Sequence, residues 1–459
     1  MKDWTAILAD DDCVKLSGID VDGILRGKLI SKKKFLSVAE TGFGFCSVIF
    51  GWDMHDRTYN RSTNVTDEAG GFGDLHAVID LESFTRIPWE NNVPFFYVYF
   101  YNPDQTVLAP CPRSLLRDVS KLAADMGYTP MAGSELEFYH YKETGASVIE
   151  KNGKNLTPMT AGMFGYSVQR PVLNKEYYYD VWNSANAMDV NIEGWHCESG
   201  PGVYEAAITY AEALKVADRT SLFKLTCKSV GPKYGVMPCF MAKPHHGLPG
   251  NSGHLHLSLL DSTGKNILCR DEPDPNPKYP DTAYLTEEGK HFLAGILAGL
   301  KDIMPILAPN INSYKRLIEH YWAPVTVSWG YEHRIASVRF ISPPSCPPKG
   351  TRFEVRTPGA DVNTHFALAA LFALGIRGIK LKLPLTVPPM GAIDDHSTID
   401  RLPKSLRTAT EAFMSPTSLA REVLGNEFVD HFGKTRLEEC DLWDDAVTDW
   451  EVTRYIETA

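Results

Sequence analysis

The densest charge pattern in the chain is Arg352-Phe353-Glu354-Val355-Arg356, an acid with a cation two residues away on each side. On a strand, side chains alternate with period two, so all three charges would share one face. Such a row is costly to bury unless a highly charged ligand or a metal ion joins it. Left in solvent, it is an ordinary salt-bridge row on an edge strand. Glu135 and Glu137, in GSELEFYHY, repeat the spacing. Two carboxylates that close repel unless a cation bridges them, and an exposed strand face is the alternative. Glu198 and Glu205 flank the turn Gly200-Pro201-Gly202, with Glu205 expected at the start of a helix. A helix dipole would favour an acid there without further purpose. His254, His256 and Ser258 recur at period two in NSGHLHLSLL. Imidazole is a common metal ligand, although a histidine taken singly is usually structural. Arg316, Arg334, Arg339, Arg352 and Arg356, with Lys315 beside the first, fall within one stretch. Guanidinium groups suit bidentate capture of phosphate or carboxylate; arginines dispersed over a surface would do nothing of the kind.

The elements that must position these groups are readable in outline. VDGILRGKLI, FGDLHAVIDL and VPFFYVYF read as strands between turns, the first with a D-G turn. The Pro-rich YNPDQTVLAPCP marks a boundary, which divides the chain into 1–107 and 108–459. SLLRDVSKLAADMGY then reads as an amphipathic helix ending at Gly127, and MAGSELEFYHY as a strand. Residues 206–228 and 291–307 have helical periodicity, and an apolar helix follows the Arg352–Arg356 run. The fold class expected is α+β, a small β-rich N-terminal domain on a larger catalytic one.

Bulk properties narrow the function. At 459 residues and 51.1 kDa, the chain can bury a large core in two domains. A net charge of −11 argues against a nucleic-acid partner. Nine cysteines without C-x-x-C spacing read as reduced thiols. The acidic start MKDWTAILADDD has no apolar core, so no secretory signal is expected. No run approaches the ~18 consecutive apolar residues of a membrane span. The expectation is a cytoplasmic protein with neither membrane nor nucleic acid as partner.

The order E-x-E, E-(x6)-E, H-x-H-x-S, NSYKR, a second arginine segment and R-x-E-x-R resembles the glutamine synthetase family, from about residue 20 to at least residue 378. The resemblance implies a β-grasp-like N-terminal domain and a catalytic domain on a curved antiparallel sheet flanked by helices. It implies a large ring-shaped homo-oligomer with active sites between subunits, ATP as cofactor, and two or more Mg²⁺ or Mn²⁺ ions per site. Glu137, Glu198 and Glu205 match the ligands of one ion, and Glu135, His254 and Glu354 those of the other. An oxygen-rich set with one imidazole suits Mg²⁺ or Mn²⁺. His256 and Ser258 match nucleotide-contacting positions. Arg334, Arg339, Lys349 and Arg352 match the phosphate side, Arg316 the substrate's α-carboxylate, and Arg356 the carboxylate under activation. Gly253 matches a glutamate-contacting glycine, in a loop one residue shorter than in the family.

The implied chemistry is phosphorylation of glutamate, or an analogue, to an acyl phosphate, which an amine then converts to an amide. In the ammonia-using enzymes, an acid precedes the Ala-Pro that follows NSYKR and helps to hold ammonium. Here that position is Trp322. An indole can cover an acyl phosphate or pack an alkyl group, but it brings no formal charge to a small hydrated cation. FGWDMHDRTYN also replaces the family's Asp-Gly-Ser-Ser stretch. Asp53 matches the acid that deprotonates the amine, with His55 and Asp56 as alternatives, and Asp74 matches a second amine-side acid. Asp400 stands where regulated bacterial members carry a modifiable tyrosine. The expectation is a γ-glutamyl amide ligase using an organic amine. The alternatives are an ordinary glutamine synthetase, with Trp322 merely repacking the flap, and a catalytically silent structural relative.

Overall fold

The structure is a computed structural model and describes residues 2–459 except 64, 67 and 320. Six strands before residue 102 form one sheet: β1 (Cys13–Ile19), β2 (Leu25–Ser31), β3 (Phe43–Cys46), β4 (Asp74–Ile79), β5 (Thr85–Ile87) and β6 (Val93–Tyr101). Their order is β2-β1-β6-β4-β3, with β5 added to β6. β1 and β6 run parallel, and the other pairs are antiparallel. The D-G turn is closed by Asp20, whose Oδ1 accepts from the backbone of Asp22 and Ile24 at 3.0 and 2.9 Å. Gly23 supplies the left-handed residue this turn needs, at φ 79°.

The second sheet holds β7 (Thr129–Tyr141), β8 (Ile192–Cys197), β9 (Val203–Glu212), β10 (Met237–Cys239), β11 (Gly253–Leu260), β12 (Trp329–Tyr331), β13 (Val338–Ile341) and β14 (Arg352–Val355). Its order is β12-β13-β14-β11-β7-β9-β8, with β10 on β7. All pairs are antiparallel except β12 with β13. Period two sorts the faces. Leu255, Leu257 and Leu259 of β11, with Phe353 and Val355 of β14, point into the core under the helices, whereas His254, His256 and Glu354 point the other way.

The helix Thr364–Leu381 is capped by Asn363 Oδ1, which accepts from His365 and Phe366. By length and hydropathy this helix matches a membrane span, yet 83% of it is buried inside the protein, as a core helix is. It crosses the helix Glu287–Gly299 at two glycines. A Cβ on Gly295 would stand 2.2 Å from Leu374 O, so only glycine allows this approach.

Two expected helices differ. Residues 206–212 belong to β9, and the helix begins only at Ala213. Glu205 therefore lies within a strand, not at a helix N-terminus. Ala206, Ala207 and Ile208 suit either state locally, and pairing with β7 and β8 on both sides decides for the strand. The pattern at 291–307 breaks into Glu287–Gly299 and Met304–Leu307, because Pro305 tolerates only the first turn of a helix.

The two sheets share one apolar core, with Trp4, Phe35 and Phe96 in the same cluster as Leu255, Phe292 and Leu368. A buried ion network ties the end of β4 to three helices, Pro112–Ala124, Ala213–Val230 and Thr364–Leu381. Arg113, on the first of these helices, donates to Asp80, just past β4, at 2.7 Å and to both oxygens of Asp218 at 2.9 and 2.8 Å. His365 Nε2 contacts the same Asp218 at 2.9 Å. Replacing Arg113 by Met leaves carboxylates buried without their cation. We expect a loss of about 3–5 kcal/mol, read as a lowered urea midpoint; an unchanged midpoint would show that the network does not lock the end of β4 to the helices.

Candidate active site

Strand register assembles the charged row. Arg339 of β13 faces Glu354 of β14, and Glu354 faces His256 of β11. His254 of β11 faces Glu135 of β7. Glu137 of β7 faces Glu205 of β9, which faces His196 of β8. Direct cross-strand partners share a face, so the charges form one band across the sheet. Glu198, just past β8, closes the band, its Oε1 3.4 Å from His196 Nε2. Its other oxygen accepts from Ser199 N at 2.7 Å.

The band is electrically lopsided. Burial opposes charge on Glu354, but His254, Arg356 and His256 outweigh it and hold the carboxyl down to about 2. Glu135 is likewise held well below the usual range, against burial, by His256 and His254. At the other end, burial and then the charges of Glu135, Glu137, Glu198 and Glu354 push Glu205 up to about 9. Among the described residues no lysine or arginine pairs with Glu205, and a divalent cation is a natural remedy. Among the described residues, two groups bring ligand atoms within 4.8 Å of one another: Glu135, His256 and Glu354, and His196, Glu198 and Glu205. Both are oxygen-rich with an imidazole, which fits Mg²⁺ or Mn²⁺.

These groups differ from the expected sets at two positions. One oxygen of Glu137 accepts from Ser252 N at 2.7 Å, and His196 takes its place in the tight group. His256 stands in for His254, whose Nδ1 is 3.6 Å from Glu135 and 3.4 Å from Glu354. However, Arg352 Nε donates to His256 Nδ1 at 3.0 Å, which leaves the proton of a neutral imidazole on Nε2. That nitrogen is buried 3.0 Å from Glu135 Oε1, without a directed hydrogen bond. His256 Nε2 is thus set up as a donor toward Glu135.

A cavity of about 240 Å³ opens beside the band and brings together Glu135, His256, Ser258, Lys349 and Arg352. Its far wall carries Tyr210, which the sequence did not single out. A bulge puts it there: Ala132 pairs with Ala211 and Ser134 with Ile208, so Thr209 and Tyr210 both stand opposite Gly133. A Cβ on Gly133 would lie 3.5 Å from His256 Cβ and 3.8 Å from Tyr210 Cβ, which places both on the site's face. Tyr166 is a second such residue, its ring stacked on His196 at 4.6 Å and 9°. Arg334 is exposed within electrostatic reach of it.

Arg316 is buried and donates to Thr357 O, Arg356 O and Ser252 Oγ at 2.9, 2.9 and 3.0 Å. Arg356 gives Nη1 to Glu354, and its Nε is buried without a partner among the described residues. Arg339 is held by Glu332 and Glu354. Gly253 N donates to Pro358 O at 2.9 Å at the start of β11. Three expected residues stay apart from the band. Asp53 closes its own turn, accepting from His55 N and Arg57 N at 2.8 and 3.0 Å. Asp74 is exposed at the start of β4, and Trp322 is 69% exposed at φ 59°. Among the described residues, no hydrogen bond or ion pair joins any of the three to the band.

Residues 109–455 match the family model described as "Glutamine synthetase, catalytic domain". The chain belongs to the glutamine synthetase family. It is 43% identical over 97% of its length to type-1 glutamine synthetase 2 of Dictyostelium discoideum, covering 83% of that protein. It is 31% identical over 97% to a glutamate–isopropylamine ligase of a Pseudomonas species, of which it covers 95%. It is 32% identical over 98% to a gamma-glutamylethanolamide synthetase of Streptomyces coelicolor, of which it covers 93%. A solved structure titled "Apo GmaS without ligand" shares the fold, with a TM-score of 0.82 at 24% identity over the whole of both chains. Glutamine synthetases are ATP-dependent ligases of glutamate with ammonia or amines and use divalent metal ions.

In this glutamine synthetase relative, Gly253 seats the His254 strand against the loop that follows Arg356. A Cβ there would lie 2.4 Å from Gly359 O and 2.9 Å from its carbon. Gly253→Ala is expected to cost about 1–3 kcal/mol by overpacking, measured by urea unfolding. A variant as stable as the wild type would mean that this contact does not fix β11.

Proposed function

We propose that the protein forms γ-glutamyl amides from glutamate and an organic amine, with ATP converted to ADP and phosphate. The observation that carries the amine reading is Trp322, an exposed, uncharged residue before Ala323-Pro324 where ammonia-using relatives place an acid. Similarity to the isopropylamine ligase and the ethanolamide synthetase along nearly the whole chain supports it.

In this reading Arg316 holds the α-carboxylate of glutamate, and Arg356 lies against the γ-carboxylate. A γ-carboxylate oxygen attacks the terminal phosphorus of ATP, and ADP leaves. His256 and Ser258 contact the nucleotide, and Arg334, Arg339, Lys349 and Arg352 balance charge on the phosphates. Glu137, Glu198 and Glu205 hold one divalent ion, and Glu135, His254 and Glu354 hold another. When bound, these ions neutralise the transferring phosphoryl group. The amine gives a proton to Asp53, attacks the acyl carbon, and expels phosphate together with the former carboxylate oxygen. Among the described residues, no hydrogen bond or ion pair joins Asp53 or Asp74 to the band of their own chain, which favours a site completed by the N-terminal loops of a second copy in a homo-oligomer. Trp322 covers the acyl phosphate and packs the alkyl part of the amine.

A second reading, glutamine synthesis from ammonia, is favoured by the 43% identity to a type-1 glutamine synthetase. Phosphate release with ATP, Mg²⁺ and glutamate separates the two. We expect faster release with a member of a panel of alkyl- and hydroxyalkylamines than with ammonium, and equal or faster release with ammonium would exclude the amine reading. Trp322→Glu should move the ratio of rates several-fold toward ammonium, since a cation–π contact of about 0.5–2 kcal/mol is exchanged for a formal charge. An unchanged ratio would show that Trp322 does not set the preference.

A further inference from the structure

Glu332 follows β12 directly, with its backbone in the left-handed region at φ 50°. Non-glycine residues are uncommon there, and the strain is tolerated mainly near functional sites. Its Oε2 accepts from Arg339 Nε at 2.9 Å and also from Arg339 Nη2. Its Oε1 is buried without a hydrogen-bond donor among the described residues. A carboxylate held in this way does not satisfy the backbone around it; it grips one side chain. Arg339 in turn gives Nη1 to Glu354 Oε2 at 2.8 Å, and Glu354 Oε1 accepts from Arg356 Nη1. Acid and cation alternate along the line Glu332, Arg339, Glu354, Arg356.

Glu354 therefore serves two masters, the guanidinium groups and the ion it would share with Glu135 and His254. To ligate the ion it must turn lone pairs away from Arg339. The Arg339 side chain is only 13% exposed, and a cation so enclosed needs an anion beside it. Glu332 provides one. Without it, Glu354 is the carboxylate left within reach, and the guanidinium competes directly with the metal ion. We propose that Glu332 is a positioning residue: it shares Arg339 with Glu354, so that Glu354 is not the guanidinium's sole anion, and thereby sets the divalent-cation affinity of the site. The proposal rests on the ion assignment given under the proposed function. Glu332 touches neither ion nor substrate in this scheme, and it acts only through Arg339.

The test is a Mn²⁺ titration of the nucleotide-free protein, with free Mn²⁺ counted by its electron paramagnetic resonance signal. Glu332→Ala is expected to weaken Mn²⁺ binding about tenfold, as changes behind a ligand commonly do. Glu332→Gln keeps the size without the charge and should shift binding in the same direction. In an Arg339→Met background the competitor is gone, so adding Glu332→Ala should change nothing. Wild-type affinity in both Glu332 variants would overturn the proposal. An equal loss with and without Arg339 would also overturn it, because the effect would then be charge acting through space. A wild type that binds no Mn²⁺ would overturn the ion assignment itself, and the proposal with it.

Discussion

Glu205 is asked to be an anion beside four other carboxylates in a half-buried cleft, and burial with repulsion pushes it up to about 9. No rearrangement of side chains within the band removes that conflict, because strand pairing fixes which residues stand opposite one another. Either a proton or a bound cation relieves it. The rest of the architecture follows from keeping these acids together. One face of the second sheet is left free for them, while the other face is sealed by helices and by the leucines that alternate with the histidines of β11. The helix Thr364–Leu381 is apolar enough for a membrane because its task is to sit beneath this sheet.

Fixed positive charge is distributed unevenly around the acids, and the unevenness carries information. Arginines and imidazoles crowd the Glu354 end, where Glu354 is held down to about 2. At that end the acids are paired with cations, and the His256 donor and the cations of the neighbouring cavity can also meet anionic ligands such as phosphate. Among the described residues no arginine pairs with Glu205, and that end suits a metal ion. The amine side has another logic. A small ammonium ion surrenders its hydration only to formal negative charge, whereas an alkylamine brings apolar surface that an indole can cover.

What was legible in the sequence was whatever depends on period two within a single strand. Glu135 with Glu137, His254 with His256, and Arg352 with Glu354 are each set on one face by alternation alone, so those parts of the site could be read directly. What depends on pairing between strands was not legible. His196 joins the site because β8 lies beside β9 in a register that no local pattern encodes. Tyr210 breaks period two relative to Glu205 through a bulge, and its only local trace is Gly133 on the partner strand. The stretch 206–212 read as helix because its alanines fit either state, and the ladder on both sides overrode the pattern. Arg339 was legible as a cation, but Glu332, which holds it, needed the fold.

The central claim is that the γ-carboxylate of glutamate is activated by taking the terminal phosphoryl group of ATP before any amine attacks. Its most direct test is an oxygen-tracing turnover. Glutamate labelled with ¹⁸O in the γ-carboxylate is converted in the presence of ATP, Mg²⁺ and a productive amine, and the released phosphate is weighed by mass spectrometry. The account predicts that each phosphate carries one ¹⁸O atom from the carboxylate. Phosphate without the label would contradict it.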